Sequence, residues 1–282
     1  MMNSQTLSII GPGVMAEAII AGLIRNRVLP VQKIIAAGPR PERGSELIEH
    51  YGIRYTTDNA EAVSRADIVI LAVKPQKLRA VLSGLRGKVD PQALVLSIIA
   101  GASIQTISSG LEHPCVIRAM PNTPAQIGQG ITVWTASPAV TEPQLEAARL
   151  ILSALGQEVF VEEENYLDMA TALSGTGPAY VFLFMEALID AGVHLGFPRR
   201  IAEQLVTQTI RGSVEYYALK KDHPAHLRNQ VTSPGGTSAA ALYYLEKAGF
   251  RTALSRAIWA AYERSQELGR GKNSQPPEKS AD

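Results

Sequence analysis

The chain has one cysteine, Cys115, which excludes an intramolecular disulfide and fits a reducing compartment. A lone thiol of this kind reads as a small buried residue. Net charge is equally scarce. Twenty-seven Lys and Arg against 26 Asp and Glu leave +1, too weak a field to draw the protein to nucleic acid or membrane. With charge so balanced, the pairs Tyr216-Tyr217 and Tyr243-Tyr244 read as helix packing rather than base stacking. No apolar run reaches the roughly 18 residues of a membrane span. The opening MMNSQTLSIIGPG has no basic segment followed by a long apolar one, so no signal peptide is expected. The five histidines, at 50, 113, 194, 223 and 226, form no H-x-x-x-H spacing and have no paired cysteines beside them. No metal site is expected from them. No internal repeat is present, and the plain expectation is a soluble cytoplasmic protein.

What is present is enough apolar sequence for a sizeable core, 46% of 282 residues, in one large domain or two medium ones. Up to about residue 164, short β-branched runs alternate with amphipathic stretches. The runs are Leu7–Ile10, Ile34–Ala37, Ile68–Val73, Leu94–Ile98 and Val116–Arg118. Helical patterns such as 15–25, 41–51 and 76–85 separate them. This alternation predicts a doubly wound, mainly parallel α/β sheet covered on both faces. Runs at 131–134 and 158–161 extend it, with a helix over 142–155 between them. From 165 to 270 strand signals stop, and helices are predicted over 165–174, 178–195, 198–219 and 250–268. Several are too apolar to face water on every side, which predicts packing against a second subunit. Residues 271–282 are polar with two prolines and are expected to form a disordered tail.

Directly after the first predicted strand comes IIGPGVMAEA. Gly11, Gly13 and Ala16 match G-x-G-x-x-G/A. The first glycine permits a tight turn, the second lets backbone approach a pyrophosphate, and the alanine allows close strand–helix packing. Strand before and helix after supply the context the motif needs. Pro12 departs from it, because it removes one backbone donor. At the end of the second strand no carboxylate stands ready for ribose hydroxyls. Arg40 and Arg43 lie just beyond instead, which favours a 2′-phosphate and therefore NADPH, with NADH left open. The fourth strand ends Ala72-Val73-Lys74-Pro75, at a carboxyl edge where a cofactor lies. Arg118, Asn122 and Thr123 follow another strand and either face the cleft or form a structural turn.

Late in the chain stands VTSPGGTSAAAL, residues 231–242. A helix cap needs one hydroxyl, and here four side-chain hydroxyls and two glycines precede one helix.

Together, IGPGVMAEA, LAVKP, RAMPNTPA, ALSGTGPAY and VTSPGGTSAAALYYLEKAGF resemble the pyrroline-5-carboxylate reductase family over nearly the whole chain. The last two segments are far more specific than the glycine fingerprint. The resemblance implies an N-terminal Rossmann domain and an all-α C-terminal dimerisation domain, with dimers or larger homo-oligomers. It implies hydride transfer from NAD(P)H to the C=N carbon of 1-pyrroline-5-carboxylate, giving L-proline. It places Gly11, Pro12, Gly13, Val14, Met15 and Ala16 at the cofactor pyrophosphate. Arg40, Asn59, Ala72, Val73, Lys74 and Pro75 would line the rest of that site, with Ala100 and Gly101 near the nicotinamide. Glu164 and Gln230 match positions near the cofactor. Ser233, Gly235, Gly236, Thr237 and Ser238 would form the substrate loop. Ser238 stands where many members have threonine, and Gln230 where some have asparagine.

That resemblance gives the hydroxyl-rich helix start a ligand. The first turn of a helix offers free N–H groups and a positive dipole end to a carboxylate, and the glycines admit close approach. Ser233 and Thr237 would add donors, and Ser238 would hydrogen-bond the ring nitrogen as the catalytic contact. The cofactor supplies the hydride, so the protein's task is proximity and orientation. A β-hydroxyacid dehydrogenase would need a lysine on a central helix, and none lies between Lys88 and Lys220. A six-membered cyclic imine as substrate, and an idle NADP-binding paralogue, remain alternatives.

Overall fold

A computed structural model describes residue 2 and residues 4–269; the expected tail at 271–282 lies outside them. Eight strands form one sheet: β1 (Leu7–Ile10), β2 (Ile34–Ala37), β3 (Arg54–Thr56), β4 (Ile68–Leu71), β5 (Leu94–Ser97), β6 (Val116–Met120), β7 (Gly130–Ala136) and β8 (Gly156–Phe160). Their order is β3-β2-β1-β4-β5-β6-β7-β8. Every neighbouring pair is parallel except β6 with β7. The first six strands follow the 3-2-1-4-5-6 order of dinucleotide-binding folds, with the direction of winding reversed between β1 and β4.

β1, β2, β4 and β5 are buried at all four positions, as both-face coverage requires. On one face Leu7 and Ile9 meet Ile19, Ile20 and Leu23 of α1 (Val14–Arg25) and Leu47 of α2 (Pro41–Tyr51). On the other, Ile10 and Leu71 belong to one cluster with Val63 of α3 (Asn59–Val63), Leu78 and Leu82 of α4 (Pro75–Leu85), and Ile107 of α5 (Ile104–Leu111). Each such side chain, fully buried, contributes about 1.5–3 kcal/mol. α6 (Glu142–Ser153) opens on a Thr141–Gln144 capping box and returns Ile151 and Leu152 to the first cluster.

The edge strand β3 was not anticipated from sequence. It has three residues, none of them buried, and so carries neither an apolar run nor a full alternation.

α7 (Tyr166–Ala170) passes through a π turn at Thr171–Gly175 into α8 (Gly177–His194). Then come α9 (Arg199–Lys220), α10 (Pro224–Gln230), α11 (Thr237–Lys247) and α12 (Phe250–Gly269). Two compact units result. Among the described residues, one holds the chain up to Thr176 together with residues 261–269, and the other is Gly177–Ala260. This division differs from the boundary after residue 164 read from the sequence. The reason is visible in side chains: Asp168 of α7 and Ser265 of α12 both bond into the network around Arg118 of the sheet.

Within the second unit, Ala202 is the one residue of α8–α11 that is buried. Phe182, Leu183 and Leu195 are 63, 67 and 82% exposed. The helical stretch Tyr166–His194 is long and apolar enough to cross a membrane by length and composition, although only 6% of its most apolar window is buried. The count of apolar residues missed it, because scattered polar positions interrupt the run.

Candidate active site

The chemistry gathers at the carboxyl edge of the sheet, beside the reversal between β1 and β4. Gly11 takes φ +92°, and a Cβ there would lie 2.6 Å from Val73 Cγ1. Glycine is therefore required by both backbone conformation and space. Gly11 N–H is held by the Ala37 carbonyl at 2.9 Å. Gly13 caps α1 with no side chain, and the first intrahelical bond runs from Glu17 N–H to Gly13 O at 2.9 Å. The N–H groups of that first turn stay free to meet an anion.

The loop after β2 is fixed from two sides. Tyr55 of β3 directs its hydroxyl at the Gly38 and Arg40 carbonyl oxygens, both at 2.8 Å. Arg43 donates from Nε to the Pro12 carbonyl oxygen at 3.1 Å, pairs with Glu17, and reaches Glu46 at 2.9 Å. Tyr51 donates to Glu17 at 3.0 Å. Burial alone would raise the Glu17 carboxyl, but the hydrogen bonds from Arg43 and Tyr51 outweigh it and hold the group below its ordinary value. The two arginines that the sequence reading paired for a 2′-phosphate both line the cleft but differ in their partners. Arg43 is already engaged by two carboxylates, whereas the Arg40 side chain has no hydrogen-bond or ion-pair partner among the described residues.

Gly11, Pro12, Gly13, Arg40, Asn59, Ala72, Val73 and Lys74 line one cleft of about 750 Å³, within the usual range for a small-molecule or cofactor site. Asn59 Oδ1 is buried there with no partner, an acceptor that a ligand donor would satisfy. Thr57, Asp58 and Lys77 line the same cleft and were not anticipated. The sequence signal for them was the N-cap at Asp58, which accepts from Ala60 N–H at 2.8 Å. These features fit a dinucleotide: a glycine turn, a free helix N-terminus, an orphaned acceptor and an unpaired arginine.

Other anticipated positions fall elsewhere. Val14 and Met15 open α1, while Ala16 is fully buried in the core. Pro75, Ala100 and Gly101 line a neighbouring groove with Leu268 and Gly269. Glu164 turns inward and bonds Arg118 and the Ile104 N–H. Asn122 ties a turn together through Ile131 N–H and the Ser174 carbonyl, a structural role. Thr176 donates its hydroxyl to the Thr171 carbonyl at 2.8 Å. A Cβ at Gly175 would stand 2.6 Å from Met120 Cε, so the SGTGPAY segment approaches the end of β6 closely at that glycine.

In the second unit, α11 starts at Thr237 after Gly235 at φ +72°. No side chain caps it. The hydroxyls of Ser233, Thr237 and Ser238 have no hydrogen-bond partner among the described residues. Gln230 ends α10 and is exposed. A helix start with free N–H groups and three unpartnered hydroxyls is suited to a carboxylate and one further acceptor.

Strand order, glycine turn and cleft define a Rossmann-type dinucleotide-binding protein. Residues 6–101 match the family described as NADP oxidoreductase coenzyme F420-dependent. Residues 164–268 match the family described as pyrroline-5-carboxylate reductase dimerisation. A pyrroline-5-carboxylate reductase of Synechocystis sp. is 47% identical over 94% of this chain and 98% of its own. One from Pseudomonas aeruginosa is 39% identical over 95% and 98%. The crystal structure of a Plasmodium falciparum pyrroline carboxylate reductase with NADP bound superimposes with a TM-score of 0.87, at 33% identity, over 95% of this chain and 100% of that one. The chain belongs to the pyrroline-5-carboxylate reductase family. It is an oxidoreductase that uses NAD(P)H.

Proposed function

We propose that this protein reduces 1-pyrroline-5-carboxylate to L-proline, with NADPH preferred over NADH, as a homodimer or larger homo-oligomer in the cytoplasm. The observation that carries the substrate reading is the start of α11, with Ser233, Thr237 and Ser238 hydroxyls unpartnered over free helix N–H groups. The family membership supplies the ligand that fits: a small ring bearing one carboxylate and one imine nitrogen. Thr237, Ser233 and the backbone at Gly235 and Gly236 hold the carboxylate. Ser238 hydrogen-bonds the ring nitrogen. When bound, the cofactor supplies the hydride. The chain's own contribution is to orient the ring and to exclude alternative poses.

Arg40 supports the NADPH preference, as the unpaired guanidinium at the end of β2. Oligomerisation is supported by the second unit, whose helices α8–α11 bury a single residue among themselves. A helical unit with so little buried surface needs a partner to be stable in water.

Five- and six-membered cyclic imino acids, compared under the same conditions, test the substrate. The expected result is a kcat/KM at least tenfold higher for the five-membered ring, about 1.4 kcal/mol. Equal or reversed values would move the assignment to the larger ring.

A further inference from the structure

Arg118 sits on β6 with a side chain only 5% exposed, and it bridges two carboxylates from different places in the chain. Its Nη1 meets Glu164 Oε1 at 3.1 Å and its Nη2 meets Asp168 Oδ1 at 2.7 Å. Each of those oxygens takes a second donor. Glu164 Oε1 accepts the backbone N–H of Ile104, the first residue of α5, at 2.8 Å. Asp168 Oδ1 accepts the hydroxyl of Ser265 in α12, also at 2.8 Å, and Ser265 is 2% exposed. One guanidinium therefore fastens α5 and α12 to the sheet through two single atoms.

Between those two fastenings lies the turn from Ile99 to Ser103, at the carboxyl end of β5. It is closed by Ala102 N–H on the Ile99 carbonyl at 3.2 Å. Gly101 within it takes φ +74°, and a Cβ there would stand 3.1 Å from the Ser265 carbonyl oxygen and 2.8 Å from Gly269 N. α12 thus presses on the turn from one side and Glu164 holds its exit from the other. The carboxyl ends of β4 and β5 adjoin in register, with Leu71 opposite Ser97. In this topology the half of a dinucleotide past the reversal lies over those strand ends.

We propose that Arg118 is a positioning residue for hydride transfer. It touches neither cofactor nor substrate. Through Glu164 and Asp168 it fixes the 99–103 turn, beside which the nicotinamide would lie. The inference depends on the reductase reading above. A buried charged cluster is a poor source of net stability, because desolvation offsets most of the attraction. Its fork geometry is rigid, and lysine cannot reproduce two parallel contacts. Geometry rather than stability is what this cluster is suited to provide. A displacement of about 1 Å at a reacting centre costs on the order of 100-fold in rate.

The test uses Arg118→Lys in the full-length protein, with Glu164→Gln and Ser265→Ala as milder companions. Three quantities are read: amide hydrogen exchange of residues 99–104 without cofactor, NADPH affinity by calorimetry, and kcat with its primary isotope effect from 4-deuterated NADPH. Arg118→Lys is expected to speed exchange in the turn, lower kcat about tenfold or more, raise the isotope effect, and change NADPH affinity less than about threefold. Glu164→Gln and Ser265→Ala are expected to move the same quantities in the same direction by smaller factors. They decide the matter if Arg118→Lys does not fold. The proposal is overturned by a folded variant with unchanged turn exchange and kcat within about twofold of wild type. It is equally overturned by a loss of rate matched wholly by lost NADPH affinity. If the wild-type protein itself fails to reduce the imine, the reductase reading falls, while the exchange measurement still reports on the clamp.

Discussion

Arg43 donates its Nε–H to the Pro12 carbonyl oxygen at 3.1 Å, across the cleft mouth from α2 to the glycine turn. Pro12 brings no N–H to that turn, and the contact with Arg43 fixes its carbonyl. The guanidinium also pairs with Glu17 in the first turn of α1. Arg43 is thus a clasp on the glycine turn, and Arg40, also lining the cleft, keeps its guanidinium free of ion-pair partners among the described residues.

The two arginines are expected to separate on substitution. Arg40→Met should lower kcat/KM for NADPH by about 10–100-fold and change the NADH value by less than about threefold, a loss of roughly 1.4–2.7 kcal/mol confined to one cofactor. Arg43→Met should weaken both cofactors alike, because it loosens a turn that both use. Steady-state kinetics with each cofactor distinguish these outcomes.

Glu17 makes stability depend on pH in a definite direction. Burial works to raise its carboxyl, but bonds from Arg43 and Tyr51 leave it below the ordinary value of 4.5 in the folded protein. Its contribution is therefore complete above about pH 4.5 and is lost as pH falls through the lower native value. Glu17→Gln should flatten the acid limb of the stability curve and leave the slope near neutral pH unchanged. Denaturant midpoints between about pH 3 and 7 provide the check.

Gly11 combines φ +92° with a Val73 Cγ1 only 2.6 Å from where a Cβ would stand, and with Val73 backbone at 2.9 Å. Gly11→Ala is expected to destabilise the fold by about 1–3 kcal/mol and to abolish measurable NADPH binding at micromolar cofactor. Thermal unfolding and calorimetry on the same preparation would show it. Unaltered affinity would remove the turn from the cofactor site.

On α8, Phe182 and Leu183 are 63 and 67% exposed, a surface suited to a second copy of the chain. Leu183→Glu is expected to shift the protein to monomer or to unfolded material in sedimentation at micromolar concentration. A wild-type protein already monomeric there would contradict the oligomer.

Much of the sheet was legible because β1, β2, β4 and β5 are buried on both faces and read as short, mostly apolar runs, broken only by Ser8 and Ser97. The glycine turn was legible because Gly11 and Gly13 stand between a strand and a helix. β3 was not, since Arg54, Tyr55 and Thr56 lie at an edge with no buried face. The compact units divide at Thr176 rather than after residue 164 because Asp168 and Ser265 join the network around Arg118 through single hydrogen bonds, which leave no periodicity behind. Arg118 could be read equally as a cleft residue or as structure, and Arg43 read as a phosphate ligand. Arg118 pairs with Glu164 and Asp168 and Arg43 with Glu17, carboxylates distant in sequence that only the folded chain brings to them. The hydroxyl-rich start of α11 stood out in the sequence because three hydroxyls exceed what one helix cap can use, and the structure leaves all three without a hydrogen-bond partner among the described residues.

The most direct measurement is loss of reduced-nicotinamide absorbance when purified protein meets 1-pyrroline-5-carboxylate, with NADPH and NADH in parallel and proline quantified. The expected result is one proline formed for each NADPH oxidised, with NADPH the faster cofactor, and with Ser238→Ala slowed but not silent. A folded protein that binds NADPH yet oxidises neither cofactor with this substrate would contradict the assignment.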